Sequence, residues 1–185
     1  MKGVNIMDEN IDQENHNIIK IAGIIPECVV NAPGGISYVI FAQGCAHKCP
    51  GCHNPETHDF NAGEEWRIDE ILTDLKNYPL SGIVTFTGGD PFFQAKSFHK
   101  LAVKLKELNY TIVAYSGFYF EELKNDMDKK NLLSHVDILI DGPYLEEQKQ
   151  RDLNFRGSLN QRILDVKNSI IENNPVILNK YYEKS

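Results

Sequence analysis

The chain has 185 residues, of which 42% are hydrophobic and 24% are charged, and its formal net charge is −7 at pH 7. This length suits one domain that buries its own core, and the negative charge disfavours non-specific binding to nucleic acid or to anionic lipid. No apolar run approaches the roughly 18 residues of a membrane-spanning helix, so a membrane protein is not expected.

The first 17 residues are rich in Asn, Asp, Glu and Gln and contain no apolar stretch like that of a secretory signal peptide. We therefore predict a flexible polar tail over residues 1–17 and a single domain over residues 18–185. A cytoplasmic location follows, where clustered cysteines more often bind metal or perform redox chemistry than form structural disulfides.

Apolar segments bounded by Gly, Pro and Asn recur along the rest of the chain. Their periodicity predicts, in chain order, strands at 18–25 and 36–42, a helix at 67–77, a strand at 82–87, a helix at 94–108, a strand at 110–115, one or two short helices at 118–130, and strands at 136–140 and 175–178. Because helices and strands alternate from residue 67 onward, we predict an α/β fold with an open parallel sheet and right-handed crossovers.

Four polar or glycine-rich loops follow the predicted strands directly. They are the loop that begins near Cys45, the Gly-Gly-Asp-Pro segment at 88–91, Ser-Gly at 116–117 and Asp-Gly-Pro at 141–143. Ligand-binding groups in parallel α/β sheets gather where the strands end. The sequence therefore predicts that these four loops meet at one rim of the sheet.

Three of the four cysteines, Cys45, Cys49 and Cys52, lie in one loop with the spacing Cys-x3-Cys-x2-Cys. Three soft thiolates this close together suit an iron–sulfur cluster, and three ligands leave one iron free to bind another molecule. The fourth cysteine, Cys28, is interpreted as a small hydrophobic residue near the end of the first strand.

Other interpretations of the cysteine loop remain open. Attachment of a c-type haem through the Cys-x-x-Cys-His segment at 49–53 would require export, and it would leave Cys45 without a role. A thioredoxin-like redox pair formed by the same two cysteines would also leave Cys45 without a role. A structural zinc site could take its fourth ligand from His47, His53 or His58, although such sites usually combine two separated pairs of ligands. Cluster binding is the favoured interpretation.

The cysteine loop resembles the cluster loop of the radical S-adenosylmethionine enzymes, and Thr-Gly-Gly-Asp-Pro at 87–91 resembles their glycine-rich loop. Two further segments, Asp-Gly-Pro-Tyr at 141–144 and Arg-Gly-Ser-Leu-Asn-Gln at 156–161, are similar to those of the activating proteins of anaerobic ribonucleoside-triphosphate reductase. The segments at 31–34 and 115–117 also fit that family, so the resemblance covers about residues 18–165.

The resemblance implies a partial (β/α) barrel of the radical S-adenosylmethionine type, with helices on the outside of an open parallel sheet. It also implies that Cys45, Cys49 and Cys52 hold one [4Fe–4S] cluster per chain, whose fourth iron binds the methionyl group of S-adenosylmethionine. Gly88 and Gly89 would bring their backbone close to that methionyl group.

Gly51, Cys52 and His53 complete the cofactor-binding set that the resemblance implies. Many members of the superfamily carry an aromatic residue just before the third cysteine, where Gly51 stands in this chain, as in the reductase activators. His53 is then the candidate for stacking on adenine, and the alternative is an exposed loop histidine.

By resemblance, the protein is an activating enzyme and an oxidoreductase. It would form a glycyl radical on anaerobic ribonucleoside-triphosphate reductase through hydrogen abstraction by a 5′-deoxyadenosyl radical, and it would need no acid–base pair. A flavodoxin or ferredoxin would supply the electron, and a homodimer is compatible with the resemblance. The alternatives are an activator of another glycyl-radical enzyme, such as pyruvate formate-lyase, and a zinc or iron–sulfur binding module without enzymatic activity.

Several of these residues also have a purely structural interpretation. Gly88 and Gly89 could serve a tight strand-to-helix turn, and Asp90 is predicted to cap a helix that begins near Phe92. The polar side chains of the 156–161 segment either contact the partner protein or form a hydrogen-bonded turn that fixes the C-terminal segment.

Overall fold

A computed structural model of the chain describes residues 17–182, so the polar tail predicted at 1–17 lies almost entirely outside the described residues. In the described part, seven strands form one sheet: β1 (Ile18–Cys28), β2 (Ser37–Ala42), β3 (Glu64–Arg67), β4 (Ile83–Gly88), β5 (Thr111–Tyr115), β6 (Ile138–Asp141) and β7 (Arg162–Asp165). The α-helices of the same part are α1 (Ile68–Leu75), α2 (Ala95–Glu107), α3 (Phe120–Leu123), α4 (Met127–Leu133) and α5 (Val166–Glu172). None of these helices is long and apolar enough to cross a membrane.

The strand order is β3-β1-β2-β4-β5-β6-β7. The four central strands β2, β4, β5 and β6 run parallel, as predicted. The sheet as a whole is mixed, because β1 is antiparallel to β2 and β3, and β7 is antiparallel to β6. The α/β class is therefore confirmed, an entirely parallel sheet is not, and the partial barrel stays a prediction.

Both faces of the central strands are buried. The larger apolar cluster lies between the sheet and the helices and includes Tyr38, Phe86 and Ile112 from the strands and Phe98 and Leu101 from α2. A smaller cluster covers the opposite face. Strands buried on both faces are nearly continuous apolar runs, which is why the sequence identifies β2, β4 and β5.

Segments near the two edges of the sheet differ from the prediction. The four-residue edge strands β3 and β7 and the short helix α5 have no predicted counterpart, and the strand predicted at 175–178 is reduced to one β-bridge between Leu164 and Ile177. Two backbone hydrogen bonds flank this bridge, from the N–H of Asp165 to the carbonyl of Val176 at 2.9 Å and from the N–H of Leu178 to the carbonyl of Ile163 at 2.8 Å. The aromatic rings of Phe155, Tyr181 and Tyr182 also pack against the smaller apolar cluster. The C-terminal segment thus combines a short pairing with β7 and side-chain packing.

A buried ion pair joins β7 to its neighbour. Asp141, the last residue of β6, is fully buried and accepts hydrogen bonds from the backbone N–H of Phe120 at 2.8 Å and from Nε of Arg162 at 2.9 Å. Arg162 also donates to both carboxylate oxygens of Glu121. Because the charge of Asp141 is compensated within the protein, we assign it a structural role.

A histidine pair on the outer surface predicts a pH dependence of stability. The rings of His99, on α2, and His135, which follows α4, lie 4.9 Å apart between centroids. Burial, and then the proximity of His135, lower the pKa of His99, while Asp128 acts in the opposite direction. The folded protein therefore binds fewer protons than the unfolded chain below about pH 6.5, the usual pKa of histidine.

We expect the contribution of His99 to the free energy of unfolding to be fully present above that pH. This contribution should be lost as the pH falls towards the lower pKa that His99 has in the folded protein. The His99→Gln variant should lose less stability than the wild type between pH 7.5 and pH 5.5. Urea unfolding at the two pH values measures the difference. Equal losses in the two proteins would contradict the prediction.

Candidate functional site

A pocket of about 520 Å³ opens where the parallel strands end. Its lining includes residues from each of the four loops predicted to meet there, represented by Cys45, Gly88, Ser116 and Gly142. The predicted convergence of these loops on one rim is therefore confirmed. Val30 also lines the pocket and is 68% exposed, so the pocket reaches the protein surface.

The cysteine loop is closed by its own backbone. The N–H of Gly44 donates to the carbonyl of Thr57 at 2.8 Å, and the N–H of Cys45 donates to the carbonyl of His58 at 3.2 Å. Between these ends, Lys48 has a φ of 50°, in the left-handed region. The start of the loop is thus held against its end by backbone hydrogen bonds.

All three predicted cluster ligands line the pocket. Cys45 is buried, whereas Cys49 and Cys52 are half-buried. Burial raises the pKa of the Cys45 thiol to about 11, and hydrogen bonds from the backbone of His47 and Lys48 partly oppose this effect. Since metal ligation requires the thiolate, metal binding at Cys45 would release the proton that burial retains.

The donor set fits a cluster. Among residues 17–182, no three Cys, His, Asp or Glu side chains converge on a single metal-ion position. Cysteine ligands of a cluster bind different irons and so need not converge on one metal position, and all three thiols line the same pocket. Two histidines considered as zinc ligands make other contacts: His47 is hydrogen-bonded to Asp90, and the ring of His53 lies 5.1 Å from that of Tyr144.

Close packing requires glycine at the end of β4, where Gly88 is the last strand residue and Gly89 follows it. A Cβ on Gly88 would lie 2.7 Å from the backbone N of Ala42, and one on Gly89 would lie 2.6 Å from the carbonyl O of Gly44. The N–H of Gly89 also donates to the carbonyl of Ala42 at 2.7 Å. These contacts support the structural role of the pair. Because both glycines also line the pocket, their contact with a cofactor stays a prediction.

Asp90 connects three of the loops around the pocket. One carboxylate oxygen accepts the backbone N–H of Phe92 at 2.9 Å, which is the predicted cap, although the capped element is a 3-10 turn at Pro91–Gln94. The other oxygen accepts the Ser116 hydroxyl and the Gly117 N–H, both at 2.9 Å, and lies 3.0 Å from Nε2 of His47. The sequence predicted only the cap, and these three longer-range contacts are new.

The polar side chains of the 156–161 segment form hydrogen bonds within the segment and to the loop after β6. Oε1 of Gln161 accepts the N–H of Gly157 at 2.7 Å, and its Nε2 donates to the carbonyl of Gly142 at 3.0 Å. Asn160 donates to the carbonyl of Pro143 at 2.7 Å. The segment therefore fastens the chain before β7 to the loop after β6, as the structural interpretation predicts.

The five residues predicted to bind the cofactor do not all reach the pocket. Cys52, His53, Gly88 and Gly89 line it. Gly51 is exposed and is not among the residues that line the pocket. A Cβ on Gly51 would lie 2.7 Å from the carboxyl carbon of Glu146, in the loop after β6. Its role as a cofactor contact stays a prediction that the geometry does not favour.

Three lining residues carry buried polar atoms without a hydrogen-bond partner, and the sequence assigned none of them to the cofactor. They are His58, Tyr144 and Arg156. Tyr144 and Arg156 stand within the segments used for the resemblance, yet nothing in the sequence distinguishes them as pocket residues. The signal that identifies them is structural, because it is the lack of a partner within the protein.

Comparisons with known proteins agree with this geometry. Residues 30–164 match a family model described as a 4Fe-4S single cluster domain. The chain is 34% identical over 146 residues to an anaerobic ribonucleoside-triphosphate reductase-activating protein of Vibrio cholerae, with 75% of this chain and 92% of that protein covered. The protein of the same name in enterobacteria phage T4 is 33% identical over 147 residues, with 76% and 90% covered.

A comparison with solved structures gives a weaker similarity. Escherichia coli QueE aligns with a TM-score of 0.47 and 14% identity, covering 59% of this chain and 56% of the QueE chain. A similarity at this level supports no conclusion about the fold or the chemistry of this chain.

Proposed function

Because this chain belongs to the family of anaerobic ribonucleoside-triphosphate reductase-activating proteins, with a 4Fe-4S single cluster domain, we propose that it generates a glycyl radical on that reductase. It is an activating enzyme of the oxidoreductase class. The observation that carries the proposal is that the three closely spaced cysteines line one pocket together with the glycine-rich loop after β4.

In the proposed site, Cys45, Cys49 and Cys52 hold a [4Fe–4S] cluster, and the pocket beside them holds S-adenosylmethionine. When bound, these groups supply the one-electron chemistry that converts a glycine of the partner into a radical. The protein holds and orients them: the cysteine loop is fixed at both ends, and the backbone at Gly88 and Gly89 forms the adjoining wall. No proton transfer by a side chain is required.

The partner reaches the site from outside. The pocket extends to the surface at Val30, and a site open to the surface can admit a glycine-bearing loop of a second protein. An external donor of the flavodoxin or ferredoxin class would reduce the cluster. A homodimer and a cytoplasmic location remain further parts of the proposal.

Electron paramagnetic resonance of the protein with its partner tests the proposal directly. The protein is reconstituted anaerobically with iron and sulfide, reduced with dithionite, and mixed with S-adenosylmethionine and anaerobic ribonucleoside-triphosphate reductase. We expect the doublet of a glycyl radical, and we expect none when pyruvate formate-lyase replaces the reductase.

Two outcomes would favour the alternatives. A doublet with pyruvate formate-lyase alone would assign the protein to another glycyl-radical enzyme. Stoichiometric zinc without iron–sulfur absorption in the anaerobically purified protein would identify a zinc-binding module and exclude the proposed enzyme.

A further inference from the structure

Unpartnered polar atoms are concentrated at one pocket. Among residues 17–182, the buried side-chain nitrogen and oxygen atoms without a hydrogen-bond partner are His58 Nε2, Ser81 Oγ, Tyr144 Oη and Arg156 Nε. Three of the four belong to residues that line the pocket described above. Since an unpaired buried polar group destabilises the protein, such a concentration indicates that a polar ligand supplies the missing partners.

Tyr144 contacts two other segments of the pocket. Its ring centroid lies 5.1 Å from that of His53, which follows the third cysteine of the loop. A Cβ on Gly157 would lie 2.9 Å from Cδ2 of the tyrosine ring, so the 156–161 segment packs directly against it. The ring thus contacts two segments, while its hydroxyl is left without a partner.

Arg156 is fixed near the same wall. Its guanidinium carbon lies 3.9 Å from the ring centroid of Tyr182, and Nη1 donates to the carbonyl of Gln161 at 3.3 Å. These contacts orient the guanidinium but leave Nε, which can only donate, buried and without an acceptor. The wall therefore offers one donor, together with a tyrosine hydroxyl that can donate or accept.

The unpaired groups call for a ligand that is rich in acceptors. No Asp or Glu lines the pocket within the described part of the chain. An adenine base presents ring nitrogens that accept hydrogen bonds, an amino group that donates, and a flat face for contact with an aromatic ring. These features match a phenol, a guanidinium nitrogen and the two neighbouring rings of Tyr144 and His53.

The sheet order separates the two ends of the pocket. The cysteine loop follows β2 and Gly89 follows the adjacent strand β4, whereas Tyr144 follows β6 and Arg156 precedes β7, beyond β5. We propose that Tyr144, with Arg156 beside it, binds the adenine base of S-adenosylmethionine while the methionyl end lies at the cysteine loop. This inference rests on the proposed function, and it assigns a base-recognition role to residues that the motifs leave without one.

The test compares ligand binding by Tyr144 variants of the cluster-loaded protein. Equilibrium dialysis with labelled S-adenosylmethionine should show binding weakened about tenfold in Tyr144→Phe, which loses one hydrogen bond, and about a hundredfold in Tyr144→Leu, which also loses the ring. Tyr110→Phe is the matched control, because Tyr110 precedes β5 at the opposite end of that strand from the pocket, and it should bind like the wild type.

Free methionine, which lacks the base, separates the two ends of the pocket. The change that methionine causes in the electron paramagnetic resonance spectrum of the reduced cluster should be the same in the wild type and in both Tyr144 variants. Arg156→Lys, which keeps the charge but not the planar donor geometry, should weaken S-adenosylmethionine binding without altering the response to methionine. Iron and sulfide content per chain verifies that every variant carries the cluster.

The inference is overturned if both Tyr144 variants bind S-adenosylmethionine as tightly as the wild type. It is also overturned if they lose their responses to S-adenosylmethionine and to methionine equally, since Tyr144 would then support the pocket as a whole. A wild-type protein that carries the cluster but binds no S-adenosylmethionine would instead refute the proposed cofactor, and the inference would fail with it.

Discussion

The Cys45→Ala variant is expected to retain no [4Fe–4S] cluster after anaerobic reconstitution. Cys45 is the buried member of the three thiols that line the pocket. In the site that we propose, these three thiols are the protein ligands of the cluster. Removing one of three thiolates should reduce bound iron and sulfide from a full cluster to near zero, and the glycyl radical should fall below detection. Iron and sulfide analysis, together with the iron–sulfur absorption, measures the loss.

Cys28→Ala provides the matched control. Cys28 ends β1, pairs with Ser37 of β2, and is not among the residues that line the pocket. This variant should therefore load a full cluster and activate the reductase like the wild type. A full cluster in Cys45→Ala, or an equal loss in the two variants, would contradict the assignment of the cysteine loop.

The free energy of unfolding of the Asp90→Ala variant is expected to be about 3–5 kcal/mol lower than that of the wild type. Its carboxylate is almost completely buried and accepts hydrogen bonds from Phe92, Ser116 and Gly117, besides its contact with His47. Alanine would leave these donors without an acceptor, and each unsatisfied buried group costs about 1–3 kcal/mol. Urea unfolding of the cluster-free protein under reducing, anaerobic conditions measures the difference.

A second aspartate shows what a helix cap at the surface contributes. Asp126 caps α4 through the N–H of Lys129 at 3.1 Å and pairs with the side chain of the same lysine at the surface. Asp126→Ala should therefore cost only about 1 kcal/mol, the usual effect of losing a cap. If Asp90→Ala costs no more than Asp126→Ala, the contacts that connect the three loops do not stabilise the fold.

The parts of the fold that were predicted correctly are those whose signal is local. The apolar runs of β2, β4 and β5 and the helical spacing of Phe98, Leu101 and Leu105 in α2 follow directly from burial. The strand β3 has the sequence Glu-Glu-Trp-Arg and no apolar alternation. Its pairing with β1 depends on the rest of the sheet, so no local pattern could predict it.

The features of the site also separate into those with a local sequence signal and those without one. The three cysteines and the two glycines could be predicted to lie together at the pocket because each group lies in one short segment after a strand signal, and their roles as ligands stay a prediction. The contacts of Asp90 with His47 and Ser116 join residues 43 and 26 positions apart, and such distant pairing has no sequence signal in a single chain. Tyr144 was missed for a related reason, since its lack of a hydrogen-bond partner is visible only in the folded protein.

The link between His47 and Asp90 has a consequence for the positions of the neighbouring cysteines. His47 lies between the first two cysteines, its ring packs against Phe93 and Phe118 at centroid distances of 5.3 Å and 4.5 Å, and its Nε2 is 3.0 Å from Asp90. The segment between the first two cysteines is therefore anchored by side chains outside the predicted ligand set, and this packing offsets part of the entropy lost when the segment is ordered. Any change that removes the contacts of His47 should therefore disturb the positions of Cys45 and Cys49 without altering a thiol.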